Sequence, residues 1–136
     1  MRYGIIGTGW IAEAFIEGAR LACGADIAAV YSRTAERGEG FARRNGIAKV
    51  YTDINELAAA DVDGVYIASP NALHYEQSKL MLSAGKHVIC EKPITVEPEE
   101  LIELQTLAAE KGLVYIEAIM YMHCLLYTSP SPRDRG

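Results

Sequence analysis

Apolar residues in this chain come in short unbroken runs separated by longer amphipathic stretches, and that rhythm restricts it to few architectures. Residues 3–6, 26–31, 49–51, 64–68, 86–90 and 113–118 read as strands. Several are apolar throughout, as in Gly64-Val65-Tyr66-Ile67-Ala68, with little of the alternation a half-exposed strand would show. Strands of that kind are covered on both faces. Between them the spacing predicts helices. After Gly9 the positions Ile11, Ala14, Phe15, Gly18 and Ala19 recur at helical period. A second helix, introduced by the turn Ser32-Arg33-Thr34, runs to about Arg44 and ends at Asn45-Gly46. A third, capped by Thr52-Asp53, covers 54–60, a fourth 73–84, and a fifth begins at Pro98 and ends at Lys111-Gly112. The expected fold is α/β: a doubly wound, mainly parallel six-stranded sheet with helices on both faces and right-handed crossovers.

The first strand-to-helix turn is Gly7-Thr8-Gly9-Trp10-Ile11-Ala12. Its G-x-G-x-x-A spacing matches a dinucleotide-binding turn of Rossmann type. The first glycine makes the tight turn, the second lets backbone approach a pyrophosphate, and the small third residue keeps helix close to sheet. The helix start then offers unpaired N–H groups and a positive dipole end to an anion. Glycine turns without a nucleotide also occur. Here the strand before and the helix after supply the context the motif needs. An NAD-binding version usually places an acid near the end of the second strand to hold a ribose hydroxyl. This chain has Tyr31-Ser32-Arg33-Thr34 there, with Arg37 one turn on. Ser32 can hydrogen-bond a 2′-phosphate, and Arg33 and Arg37 can pair with it. NADP is therefore expected in preference to NAD. The other reading makes Ser32 a helix cap and Arg33 a solvated side chain.

Composition excludes several alternatives. With 13 Lys+Arg against 18 Asp+Glu the net charge is -5, the wrong sign for a chain that grips nucleic acid. No window reaches the roughly 18 apolar residues of a membrane span, and the first residues lack a secretory pattern. Three cysteines make no disulfide framework, so a cytoplasmic setting is expected. No metal site is expected.

Two more segments fall at carboxyl ends of strands, where open α/β sheets bind ligands. One is Ser69-Pro70-Asn71-x-x-His74, and the other is Glu91-Lys92-Pro93. Each residue has an ordinary reading: a surface or capping His74, a strand-ending Pro93, a solvated Lys92. At a strand end beside a nicotinamide, however, Lys92 could donate a proton or polarise a hydroxyl or carbonyl.

Together these segments, above all Gly85-Lys86-His87-Val88-x-x-Glu91-Lys92-Pro93, resemble the glucose–fructose oxidoreductase/inositol dehydrogenase/rhizopine-catabolism (Gfo/Idh/MocA) family over residues 1 to about 122. The resemblance implies an N-terminal Rossmann domain followed by a substrate domain. It also implies hydride transfer between NAD(P) and a sugar, polyol or related carbonyl compound. Lys92 would be the catalytic or substrate-orienting lysine. Glu91 and Pro93 would shape the nicotinamide end, and Ser69, Pro70, Asn71 and His74 would line the cofactor cleft with Gly7, Thr8, Gly9, Trp10 and Ile11. Glu117-Ala118 resembles a further family pair, but Met122 stands where an arginine often follows.

The rhythm stops near residue 123. Residues 124–134, Cys-Leu-Leu-Tyr-Thr-Ser-Pro-Ser-Pro-Arg-Asp, match one reading frame of a transposon-end sequencing adapter. Residues 1–123 are thus expected to be the Rossmann domain, with the substrate domain absent and 124–136 a non-native tail. Without that tail the net charge moves from -5 to -6, through loss of Arg133, Asp134 and Arg135. The expected function is the cofactor half of an oxidoreductase, inactive alone. Its parent would form a homo-oligomer through the missing domain. A non-catalytic dinucleotide-binding sensor or regulator on the same fold is the competing class.

Overall fold

Every strand of the sheet runs in the same direction, and the central ones bury both faces, so each needs a helical layer above and below. The computed structural model describes residues 2–91 and 97–117. The strands are β1 (Arg2–Ile6), β2 (Asp26–Tyr31), β3 (Lys49–Tyr51), β4 (Gly64–Ile67), β5 (His87–Cys90) and β6 (Tyr115–Glu117). The helices are α1 (Trp10–Cys23), α2 (Ala35–Asn45), α3 (Ile54–Ala58), α4 (His74–Ser83) and α5 (Pro98–Glu110), and a 3-10 turn, Asn71–Leu73, leads into α4. The strand order is β3-β2-β1-β4-β5-β6, all parallel.

Successive residues of one strand feed different layers. Tyr3, Ile5, Tyr66 and Ile89 pack with Phe15, Ile16, Ala19 and Phe41 of α1 and α2. Ile6, Val65, Ile67, Val88 and Cys90 pack with Leu57 of α3, Met81 and Leu82 of α4, and Leu104 and Ala108 of α5. Phe15 stacks on Tyr66 with ring centres 4.0 Å apart, and Tyr3 meets Phe15 edge-on.

The helix ends follow their local chemistry. Thr34 caps α2 by accepting the Arg37 amide, and Asp53 caps α3 by accepting that of Asn55. Gly46 closes α2 in the left-handed conformation. Pro98 occupies the first turn of α5 within a Glu97/Glu100 capping box. Expected and observed boundaries agree to within two residues where both lie in the described region; residue 118 lies outside it.

One expectation is corrected. In α1 the buried stripe is Ala12, Phe15, Ile16 and Ala19. Ile11 and Ala14 are exposed, so the apolar face is turned by about one residue from the predicted one. The first turn of α1 stands at the sheet's carboxyl edge, where Trp10 and Ile11 overhang open space rather than core.

Candidate dinucleotide site

The sheet reverses its order between β1 and β4, and their carboxyl ends diverge there into α1 and α4. Such a switch point is where open α/β sheets leave a crevice. A cleft of about 880 Å³ occupies it. Its walls include Gly7, Thr8 and Gly9 after β1, Ser32, Arg33 and Arg37 after β2, and Ser69 and Pro70 after β4.

Gly7 and Gly9 serve different needs. Gly7 has φ +116°, and a Cβ there would lie 3.0 Å from the Ala68 carbonyl oxygen. Only glycine fits both the conformation and the contact. Gly9 is extended, with φ -87° and ψ 177°, a conformation open to any residue. A Cβ on it would meet no protein atom within 4 Å. Among the described residues nothing asks for glycine at this position; the space a side chain would fill belongs to the cleft. The first hydrogen bond of α1 runs from the Glu13 amide to the Gly9 carbonyl, so the N–H groups of Trp10, Ile11 and Ala12 have no partner within the helix. A pyrophosphate fits this cradle.

At the other end of the cleft Ser32 is buried and its Oγ accepts the Thr34 amide at 3.4 Å. Ser32 thus braces the turn as well as lining the cleft, while the helix cap itself is Thr34. A Cβ on Gly38 would sit 2.7 Å from Val50 Cγ1 and 3.0 Å from Ser32 Cβ, so α2 lies hard against this turn. Arg33 and Arg37 are exposed and line the cleft. Glu36, Gly40 and Arg44 join them, none anticipated from the sequence. The signal was available, because Arg37, Gly40 and Arg44 have i, i+3, i+7 spacing on α2. Arg44 Nε pairs with Glu13 at 3.2 Å, and Asn45 donates to the same carboxylate oxygen. Those two hydrogen bonds, the amide's first, lower the Glu13 pKa below the ordinary carboxylate value.

The remaining expected residues divide. His74 does not line the cleft. It is buried behind it, with Nε2 2.8 Å from the Ser69 carbonyl oxygen. Since a carbonyl only accepts, Nε2 carries the proton. Ser69 Oγ also donates to Gln77 on α4, a buried residue that lines the cleft and carries no motif signal of its own. Trp10, 76 % exposed, and Ile11 stand at the start of α1 beside the cleft rather than on its walls. Asn71 opens the 3-10 turn after Pro70. Glu91 follows β5 and accepts a hydrogen bond from the Tyr66 hydroxyl. Burial, reinforced by Glu91, raises the Tyr66 pKa well above its ordinary value. Lys92 and Pro93 lie outside the described residues.

The described part of the 85–93 motif runs the length of β5. At its start Lys86 is buried and its Nζ donates to the carbonyls of Ala60 and Val62, at 2.8 and 3.2 Å. His87 Nδ1 accepts the Val114 amide at 3.0 Å. Both stitch the end of the sheet opposite the cleft, away from the glycine turn. Among the described residues no cluster suits a metal ion, and no helix is long and apolar enough to cross a membrane.

A doubly wound sheet with a glycine cradle and a cleft at its switch point defines a dinucleotide-binding domain. Residues 1–119 match the family model for the oxidoreductase family with an NAD-binding Rossmann fold (Gfo/Idh/MocA), and the chain belongs to that family. It is 46 % identical over 120 residues to scyllo-inositol 2-dehydrogenase (NADP(+)) IolU of Bacillus subtilis, covering 88 % of this chain and 37 % of that protein. It is 42 % identical over 114 residues to 1,5-anhydro-D-fructose reductase of Ensifer adhaerens, covering 83 % and 34 %. The fold superposes with a TM-score of 0.83 on KijD10, a 3-ketoreductase from Actinomadura kijaniata crystallised with NADP and TDP-benzene, at 33 % identity over 90 % of this chain and 38 % of that one. The chain therefore spans little more than a third of the length of these relatives.

Proposed function

We propose that this chain is the cofactor-binding half of an NADP-preferring oxidoreductase that transfers a hydride to or from a sugar, polyol or related carbonyl compound. The observation that carries the preference is the wall beyond β2. There Arg33 and Arg37 line the cleft beside Ser32, and no acid stands at the strand end. Glu36, on the first turn of α2, is the one carboxylate on this wall, set against Arg33, Arg37 and Arg44. The NADP in the name of the inositol dehydrogenase and in the ketoreductase complex supports the same choice.

When bound, the nicotinamide supplies the hydride chemistry. The chain's own residues do the holding. The first-turn amides of α1 take the pyrophosphate, Ser32, Arg33 and Arg37 take the 2′-phosphate, and Ser69 and Pro70 close the facing wall. Lys92, assigned from its motif, would hold or deliver the proton at the substrate oxygen. The substrate pocket and the surface for homo-oligomer formation would belong to a further domain of the length seen in the relatives. The cytoplasm is the proposed compartment, in keeping with three cysteines that make no disulfide framework. Residues 124–136 are read as a non-native tail because residues 124–134 match one reading frame of a sequencing adapter.

Binding of NADP and NAD to wild type and to Arg33→Ala, followed by calorimetry, tests the preference. Tighter binding of NADP is expected, with the gap collapsing in the variant; an unchanged gap sinks the assignment. For the reaction, a full-length form should lose turnover in Lys92→Met. A full-length form that binds NADP yet turns over no sugar, polyol or carbonyl substrate would make the domain a sensor instead.

A further inference from the structure

His74 is assigned to the cleft by its motif, yet it is 99 % buried and does not line it. Its ring makes one described hydrogen bond, from Nε2 to the Ser69 carbonyl, and among the described residues its buried Nδ1 has no partner. An apolar side chain would fill the same space without an orphan nitrogen. What it could not do is hold Ser69.

Ser69 is gripped twice from α4. His74 takes its carbonyl and Gln77 its hydroxyl, and the two stand one turn apart on the same helical face. The residue before, Ala68, donates its amide to the Ile6 carbonyl at 2.8 Å and sets its own carbonyl against Gly7. A continuous run of contacts thus leads from α4 through Ser69 and Ala68 to the glycine turn.

We propose that His74 is a positioning residue for dinucleotide binding. Its Nε2–H fixes the Ser69 peptide, and with it the separation of the two cleft walls, without touching the ligand. This rests on the dinucleotide reading above. The side-chain nitrogen of glutamine reaches about as far as imidazole Nε2, so His74→Gln keeps the donor, whereas His74→Leu keeps only the bulk.

The test uses the 136-residue chain in two measurements. NADPH is titrated against fluorescence of Trp10, the single tryptophan, which stands in the first turn of α1. Amide hydrogen exchange of the nucleotide-free protein is read at Leu73, whose N–H bonds to the Pro70 carbonyl. In His74→Leu the NADPH dissociation constant should rise about tenfold, and Leu73 exchange should quicken by about the same factor. His74→Gln should bring both within about threefold of wild type. A folded His74→Leu that binds and exchanges like wild type overturns the proposal, as does a His74→Gln no better than His74→Leu. Should His74→Leu fail to fold, Gln77→Leu decides. A loss of about threefold or more supports the clamp, and wild-type affinity together with wild-type exchange overturns it. A wild-type chain that binds neither NADPH nor NADH refutes the dinucleotide reading instead, and the exchange measurement still judges the clamp.

Discussion

At the β1–β4 end of the cleft the backbone is held by buried contacts within the chain, whereas at the α2 end the wall is made of exposed side chains. Gly7 leans on the Ala68 carbonyl, and Ser69 is bonded by His74 and Gln77. Arg33 projects from a turn, and Arg37 from the start of α2, that Ser32 and Gly38 hold in place. On the function proposed above, the difference separates two tasks. The pyrophosphate end must present backbone N–H groups in one geometry, so its parts are over-determined by packing. The ribose end must present charge, which long flexible side chains do at little cost to the fold. Mutations at the first end should therefore lower stability and binding together, and those at the second should lower binding alone.

The largest expected effect comes from Gly7→Val. A left-handed conformation costs a branched side chain about 1–3 kcal/mol, and the contact with Ala68 adds to it. Chemical denaturation should show the loss, and nucleotide binding should vanish. If Gly7→Val keeps wild-type stability, the β1–β4 end is not held as described. Next, Arg33→Ala with Arg37→Ala should weaken NADP about tenfold or more, since on the proposed reading each would remove a charge-assisted contact to phosphate. Stability should stay within about 0.5 kcal/mol. Loss of salt sensitivity in NADP binding is the companion sign.

Tyr66→Phe ranks third. The Phe15 stack remains and the bond to Glu91 goes, at a cost of about 1 kcal/mol near neutral pH. The effect should shrink in alkali. Burial raises the Tyr66 pKa above its ordinary 10, so the folded state keeps a proton that the unfolded state releases. Wild-type stability therefore falls as pH rises through 10 and beyond, and Tyr66→Phe should show less of that fall. Equal alkaline slopes would remove Tyr66 as the cause. The smallest effect is expected for Glu13→Gln. The Glu13 pKa is lowered, so its contribution is present above the ordinary carboxylate value of 4.5 and is lost as pH falls below it. The variant should slightly flatten the acid limb of the stability curve and leave binding intact. A large loss of NADP affinity would move Arg44 from bracing α1 to contacting the ligand.

Features set by local chemistry were legible before the fold was known. The central parallel strands announce themselves because both faces are apolar, and Thr34, Asp53, Gly46 and Pro98 mark helix ends by their own side chains or backbone freedom. Gly7 and Gly9 were legible as a motif, though only the structure separates their roles. What the sequence hid depends on distant neighbours. The pairing of Tyr66 with Glu91 spans 25 residues and that of Glu13 with Arg44 spans 31. His74 was placed in the right motif but on the wrong side of the wall, because a sequence does not say which way a first-turn side chain points. The phase of α1 was misread for a related reason. Ile11 and Ala14 look like part of a buried stripe, yet the helix begins at the edge of the sheet, beyond the core.

The strand order also sets when the cleft can exist. The glycine turn leaves the ribosome well ahead of its opposite wall at residue 69, and the helix that grips that wall ends at Ser83. In between, β2 can pair with β1, and α1 and α2 can cover one face. Until β4 and α4 follow, the other side of β1 has no partner strand and the cradle has no facing wall. A growing chain thus acquires its first folded layer well before it acquires a place to bind, and dinucleotide can favour the folded state only once both halves of the switch point are in place.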